Sequence, residues 1–153
     1  MLYVAYGSNM NIEQMAYRCP NSVIKGNGKL KGWKLVFNIH ADVIKGKRSD
    51  FVPVVLWDIH KSDWKMLDMY EGYPKYYIKK KVKVYLDSGE IVKAIVYVMA
   101  DDRKGICPPF SDYFNVCKIG YIENGIDTKC LYDALIYSVK NETTYNQYIR
   151  KEM

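Results

Sequence analysis

Histidine and paired cysteine are scarce in this chain of 153 residues. The two histidines, His40 and His60, are isolated, and none of the four cysteines forms a C-x-x-C pair. Zinc sites and redox motifs are usually marked by such close pairs, so the sequence predicts neither. No local pattern supports a Cys–His nucleophile. The scarcity favours small buried or half-buried thiols in a reducing cytoplasm and, in an enzyme, a carboxylate or a tyrosine as the acid–base group.

Long hydrophobic runs are also missing. The longest, Val52–Trp57 and Ile91–Ala100, fall well short of the ~20 apolar residues that span a bilayer. The start of the chain has no basic segment and no cleavage site, so we expect no signal peptide. These patterns predict a cytoplasmic protein that has no membrane partner.

The sequence does contain an ordinary share of hydrophobic residues (49%), a net charge of +6 and fifteen tyrosines. This hydrophobic content excludes a disordered chain. A chain of this length can bury a core without disulfides or metal, and no repeat or linker divides it. We therefore expect a single domain over residues 1–153.

The order of the patterns predicts an α+β fold. Apolar strands dominate the first two thirds, including an alternating hairpin of Tyr76–Leu86 and Ile91–Met99. Ala41–Asp50 has the composition of a polar, lysine-rich loop. Helices are predicted over Ser111–Glu123 and Thr128–Lys140. This arrangement is typical of a small mixed, mostly antiparallel β-barrel or sheet flanked by helices.

The first candidate site is the turn Tyr6–Asn9 (YGSN), where a predicted strand ends just before a helix. Gly7 allows a sharp turn and a close approach of a ligand. Successive N–H groups of Gly7, Ser8 and Asn9 can hold an anion or an oxyanion. An ordinary turn, in which Asn9 bonds its own backbone, explains the same residues. The motif alone leaves both interpretations open.

The second candidate is Glu71, which follows a helix predicted from a Ser62 cap to Met69. A helix C-terminus and burial among tyrosines both disfavour a charged carboxylate and raise its pKa. A carboxylate tuned in this way suits general acid–base catalysis near neutral pH. A surface glutamate in a loop is the alternative, and the residues alone favour it.

A third feature is a run of lysines interleaved with tyrosines on one predicted strand: Lys75, Lys79, Lys80, Lys81 and Lys83. Basic and aromatic side chains together can bind single-stranded nucleic acid. A solvated edge strand also uses lysines, to block aggregation. Because no RNA-binding signature accompanies the run, we favour the edge strand and expect no nucleic-acid partner.

Several segments carry a resemblance to a known family. Tyr3–Met10 (YVAYGSNM) resembles the Y-x-A-Y-G-S-N hallmark of the gamma-glutamylcyclotransferase-like family, and Leu67–Gly72 (LDMYEG) resembles its L-D-x-x-E-G segment. Tyr77 is similar to the tyrosine that opens the family's next strand. Ile95–Met99 matches the strand whose tyrosine lines the pocket, and Pro109–Tyr113 begins a stretch that resembles its P-S-x-x-Y helix. The likeness covers about residues 1–127.

The resemblance implies an enzyme that needs neither metal nor cofactor and acts on a small gamma-glutamyl compound. In this family the α-amine of a gamma-glutamyl group attacks its own γ-carbonyl, which closes 5-oxoproline and releases the attached amino acid or amine. The resemblance makes Glu71 the catalytic acid–base. It implies a substrate pocket formed by Tyr6, Gly7, Ser8, Asn9, Tyr77, Tyr97 and Tyr113. The alternatives are a non-catalytic binder of a gamma-glutamyl or acidic ligand and, less favoured, a basic nucleic-acid-binding domain.

Overall fold

The computed structural model describes residues 1–143, and most of the tyrosine-rich tail that follows Asn141 lies outside this range. The described residues form seven strands and four α-helices. In chain order these are β1 (Leu2–Ala5), α1 (Ile12–Arg18), β2 (Val23–Lys31), β3 (Trp33–Asn38), β4 (His40–Lys45), β5 (Phe51–Asp58), α2 (Trp64–Glu71), β6 (Tyr77–Leu86), β7 (Ile91–Met99), α3 (Ser111–Glu123) and α4 (Lys129–Lys140). No helix within the described range is long and apolar enough to cross a membrane.

Five strands close into a barrel in the order β1-β5-β2-β6-β7. Neighbouring strands are antiparallel, except that β7 meets β1 in parallel at Ile95 and Tyr3. The central strand β5 pairs on both sides, and its residues Val54, Val55 and Leu56 are fully buried. The predicted α+β fold, with a mixed and mostly antiparallel barrel flanked by helices, is confirmed.

The segment predicted as the loop Ala41–Asp50 begins instead as a strand. β4 pairs with β3 in a two-stranded antiparallel sheet beside the barrel. The prediction failed because Asp42, a residue type that is depleted in strands, lies in the middle of β4. Asp42 is fully buried. Its carboxylate accepts hydrogen bonds from the backbone N–H groups of Val43 and Met99, both at 2.9 Å, which docks the hairpin onto β7.

Strand β6 is not the edge strand that its lysines suggested. It pairs with β7 along its length and with β2 through Tyr85 and Leu86, so it lies within the barrel. Most of its lysines are exposed, as a solvated face requires. Lys79 differs, because it is half-buried and its ammonium lies 2.9 Å from the carboxylate of Asp68 in α2.

Helix α2 begins at Trp64 and ends at Glu71, so both predicted ends are displaced. Ser62 does not cap the helix, because its hydroxyl lies 2.7 Å from the His60 ring nitrogen Nδ1. At the other end Gly72 adopts a φ of +63°, which favours glycine, and its N–H bonds to the carbonyls of Asp68 and Met69. The helix therefore reaches Glu71 before the chain turns away.

Candidate active site

A cavity of about 370 Å³ opens where β1 ends, bordered by α2 and the β3–β4 hairpin. This volume falls within the range of small-molecule sites. All eight predicted site residues line it: Tyr6, Gly7, Ser8, Asn9, Glu71, Tyr77, Tyr97 and Tyr113. Six residues that were not predicted also line it: Tyr3, His40, Ala41, Tyr70, Gly72 and Tyr76. Among the tyrosines of residues 1–143, seven therefore meet at this cavity.

The YGSN turn packs directly against the β3–β4 hairpin. A Cβ atom added to Gly7 would lie 2.9 Å from the Cβ of Ala41, so only glycine permits this contact. Ser8 and Asn9 follow in a single buried turn of 3₁₀ helix. Their backbone N–H groups find no acceptor among residues 1–143. Two amide donors are therefore available at the cavity.

Glu71 is the last residue of α2, and its half-buried side chain lines the cavity. Its Oε1 accepts a hydrogen bond of 3.1 Å from Nδ2 of Asn9. Burial raises the pKa of Glu71 from an ordinary 4.5 to about 7; the nearby Arg18 guanidinium opposes this shift, and Asp68 adds to it. Glu71 can therefore both accept and release a proton near neutral pH.

Asn9 joins Glu71 to a set of polar side chains that we call the carboxylate wall, consisting of Asn9, Arg18, Tyr70 and Glu71. The Oδ1 atom of Asn9 accepts a hydrogen bond from the Arg18 guanidinium. That guanidinium lies over the Tyr70 ring, 3.3 Å from its centroid. The Tyr70 hydroxyl in turn lies 3.3 Å from the hydroxyl oxygen of Ser8. Arg18 was not predicted as a site residue, because Asn9 and Tyr70, which it contacts here, lie outside its own helix.

A second set, the tyrosine wall, consists of Tyr6, Tyr77 and Tyr113. Tyr6 donates to the carbonyl of Tyr97 at 2.6 Å, and Tyr77 donates to the carbonyl of Ala41 at 2.8 Å. The N–H of Ala41 donates to the Tyr113 hydroxyl at 3.0 Å. Burial raises the pKa of all three hydroxyls. They stay protonated. Tyr77 and Tyr113 hold the β3–β4 hairpin at the cavity through Ala41, and Tyr6 bonds to β7.

Tyr97 lines the cavity, but its hydroxyl proton is already committed. The hydroxyl donates to the carboxylate of Asp68, which also pairs with Lys79. Burial, followed by this contact with Asp68, raises the pKa of Tyr97. The Tyr97 hydroxyl can therefore interact with a ligand only as a hydrogen-bond acceptor, through its oxygen lone pairs.

His40 was not predicted as a site residue, because it stands alone in the sequence. It is exposed at the start of β4, and its ring meets Tyr113 edge to face with the centroids 4.9 Å apart. Its Nδ1 atom lies 3.3 Å from the Tyr76 hydroxyl. Desolvation of the ring by its packed neighbours lowers the pKa of His40, which favours the neutral ring near pH 7.

None of the four cysteines lines the cavity. Cys19, Cys107 and Cys117 are buried, in agreement with the expected buried thiols. Burial raises the pKa of Cys19 to about 11 and that of Cys117 to about 12, so both remain thiols at neutral pH. Within the described part of the chain, no three His, Cys, Asp or Glu side chains come together as a metal site would require.

The fold and the cavity define a class of small α+β barrel proteins that present one carboxylate to a glycine-containing turn. The chain belongs to the gamma-glutamyl cyclotransferase, AIG2-like family, whose model matches residues 3–115. A gamma-glutamylcyclotransferase of Bos taurus is 30% identical over 137 residues, covering 82% of this chain and 72% of the bovine protein. The Homo sapiens protein of that name is 29% identical, with the same coverage.

Solved structures share the fold over almost the whole chain. One described as a gamma-glutamyl cyclotransferase superimposes with a TM-score of 0.72 at 24% identity, covering 99% of this chain and 98% of that one. YkqA from Bacillus subtilis gives a TM-score of 0.74 at 19% identity, covering 94% of this chain and 55% of YkqA. At these identities the likeness supports the fold alone.

Proposed function

We propose that this protein is a gamma-glutamyl cyclotransferase, which converts a gamma-glutamyl amino acid or amine into 5-oxoproline and the free amine. One observation carries the proposal: the carboxyl of Glu71, whose pKa is raised to about 7, shares a cavity with the unbonded amides of Ser8 and Asn9. The family match and the relatives' names support the same activity.

The reaction is an intramolecular acyl transfer. The α-amine of the gamma-glutamyl group forms a bond to its own γ-carbonyl carbon, and the bond from that carbon to the leaving nitrogen breaks. Both reacting groups belong to one molecule, so a pocket that holds the substrate folded supplies much of the rate. In the tyrosine wall Tyr6 and Tyr77 are buried and Tyr113 is half-buried, and their hydroxyls bond to main-chain atoms. This wall is suited to hold that folded shape.

Proton transfer is the role that we assign to Glu71. Its carboxylate takes a proton from the α-ammonium, which frees the amine to attack. The protonated acid then returns that proton to the leaving nitrogen. The second proton, which the attacking nitrogen loses as it becomes the lactam N–H, passes through the regenerated carboxylate to the released amine, so one group serves every transfer. A pKa near the working pH suits this exchange, and general acid–base catalysis contributes about 10²–10⁴-fold in rate.

The amides of Ser8 and Asn9 are the proposed donors to the oxygen that becomes negatively charged in the transition state. Losing one such donor typically costs about 10²–10³-fold in rate. The tyrosine oxygens retain lone pairs that can accept a hydrogen bond from the substrate α-ammonium. No step in this scheme requires a metal, a nucleotide or a covalent nucleophile.

A turnover assay on a panel of gamma-glutamyl compounds tests the proposal. The panel comprises gamma-glutamyl amino acids, gamma-glutamyl-ε-lysine and gamma-glutamyl polyamines, with 5-oxoproline measured by mass spectrometry. We expect release from at least one compound. Binding of a panel member without release from any would instead favour a non-catalytic binder. Salt-sensitive binding of single-stranded nucleic acid, without turnover, would favour the basic binding domain.

A further inference from the structure

We propose that Arg18 is a positioning residue that fixes the orientation of the Asn9 side-chain amide and thereby determines which atom Asn9 presents to Glu71. The inference deepens the proposed function, because it rests on Glu71 as the acid–base group. It concerns a residue that does not itself line the cavity.

The Arg18 guanidinium is held on three sides. It is half-buried at the end of α1, where it donates to Oδ1 of Asn9 and, at 2.5 Å, to Oε1 of Gln14. Its third contact is the Tyr70 ring, 3.3 Å from the guanidinium carbon to the ring centroid. A planar group that is stacked and bonded in this way has little freedom to turn.

The chemistry of the two groups determines the direction of the Asn9 amide. A guanidinium has only donors, so Asn9 must present its oxygen to Arg18. The amide nitrogen of Asn9, which is buried, then faces the opposite way and donates to the Tyr3 hydroxyl at 2.9 Å and to Glu71 at 3.1 Å. A donor at that position stabilises the charged carboxylate.

Without Arg18 the amide can turn over and present its oxygen to Glu71. An acceptor in that position stabilises the protonated acid and penalises the carboxylate. Arg18 therefore acts on Glu71 in two ways, through its own charge and through the amide that it orients. The second effect requires Asn9, and this requirement makes the two effects separable by experiment.

The other groups around Glu71 do not duplicate Arg18. Asp68, on the same helix, is an acid and disfavours the carboxylate. Lys79 is paired with Asp68. Within residues 1–143, the other groups whose electrostatic interaction with Glu71 raises their own pKa are neutral hydroxyls and a thiol. They come from β1 and the turn after it, β6, β7 and the end of α1: Tyr3, Tyr6, Tyr77, Tyr97 and Cys19.

The first experiment measures kcat/KM against pH for substitutions at Arg18. Arg18→Met removes the donor, and Arg18→Gln replaces a group that can only donate with an amide that can also accept. We therefore expect the midpoint of the acidic limb of the pH profile to rise by about one pH unit in both variants. Arg18→Lys, whose ammonium only donates, should bring the midpoint back towards that of the wild type. At pH 7 we expect kcat to fall in the Met and Gln variants more than KM rises.

Arg103→Met is the matched control. Its guanidinium carbon lies 5.5 Å from the ring centroid of Tyr76, a tyrosine that also lines the cavity, and we expect the midpoint to stay unchanged. Equal midpoints for Arg18→Gln and Arg18→Lys, or a midpoint in Arg18→Met equal to that of the wild type, would overturn the proposal.

A second readout needs no turnover. The side-chain carboxyl ¹³C resonance of Glu71, identified by its loss in Glu71→Gln, is titrated in the wild type, Arg18→Met and Arg18→Gln, and in the same variants carrying Asn9→Ala. We expect the Arg18 substitutions to raise the titration midpoint, and to do so less when Asn9 is absent. An equal rise in both backgrounds would show that Arg18 does not act through Asn9. This titration is done without substrate and does not depend on catalytic activity. It therefore distinguishes a failure of the Arg18 proposal from a failure of the proposed function.

Discussion

The two walls of the cavity bond in different ways. On the carboxylate wall, side chains bond to other side chains around an ionisable group, as when Asn9 joins Arg18 to Glu71. On the tyrosine wall, hydroxyls bond to main-chain atoms of Ala41 and Tyr97. A network of side chains can respond to a change of charge, whereas a hydroxyl bonded to backbone mainly fixes position. We infer that proton transfer belongs to the first wall and substrate shape to the second.

Replacement of Glu71 should have the largest effect. Glu71→Gln keeps the size of the side chain and removes the proton exchange, so we expect turnover to fall by about 10²–10⁴-fold. The thermal unfolding midpoint should stay close to that of the wild type. Steady-state release of 5-oxoproline measures the first expectation and calorimetry the second.

Glu90→Gln is the control for this substitution, because Glu90 is exposed in the turn between β6 and β7. It should leave turnover unchanged. If Glu71→Gln retains most of the wild-type rate, the assignment of proton transfer to the carboxylate wall is contradicted.

The next largest effect is expected at the junction of the two walls. Gly7→Ala places a Cβ atom 2.9 Å from that of Ala41, so either the turn or the hairpin must shift. Because small displacements of reacting groups are costly, we expect kcat/KM to fall by roughly 10–100-fold. Gly89→Ala, at a positive φ of 92° away from the cavity, should lower stability without changing kcat/KM. Full activity in Gly7→Ala would show that the contact does not position the turn.

A smaller effect is expected on the tyrosine wall. Tyr77→Phe removes the hydrogen bond to the Ala41 carbonyl and keeps the ring. We expect a loss of about 1 kcal/mol in the free energy of unfolding and less than about a ten-fold change in kcat/KM. Tyr17→Phe, at a residue that is 93% exposed, provides the control. If Tyr77→Phe lost as much activity as Glu71→Gln, the assignment of proton transfer to the carboxylate wall alone would be contradicted.

Chelation should have the smallest effect. Neither wall brings together three His, Cys, Asp or Glu side chains within residues 1–143. We expect 5-oxoproline release to be the same before and after dialysis against EDTA. A rate that falls with EDTA and returns with added metal would contradict the scheme in which Glu71 acts alone.

The sequence predicted eight of the residues that line the cavity. Five of them belong to the YGSN and E-G motifs, and the other three, Tyr77, Tyr97 and Tyr113, were implied by the family resemblance. YGSN places a turn after β1, and E-G places a carboxylate beside the glycine at which α2 ends. Both depend on local backbone preferences that neighbouring residues reveal. The raised pKa of Glu71 was also expected, and burial is its largest cause.

Contacts between distant segments could not be predicted in this way. Strand β4 was missed because its buried Asp42 is stabilised by the backbone of Met99, in another strand. Arg18 was missed because it contacts Asn9 and Tyr70, which lie outside its own helix. Lys79 belonged to a predicted solvated run, yet it pairs with Asp68 next to the cavity. In each case the deciding contact joins residues of different helices, strands or turns, so it becomes visible only in the folded structure.

The most direct test of the central claim is the pH dependence of kcat/KM for the wild-type protein. Glu71 must be ionised to accept a proton from the substrate, and burial raises its pKa to about 7. The rate should therefore be low at pH 5 and rise with pH as the carboxyl ionises, with a midpoint near 7. A kcat/KM that is constant between pH 5 and pH 8, or that has its midpoint near the ordinary carboxyl value of 4.5, would contradict the account.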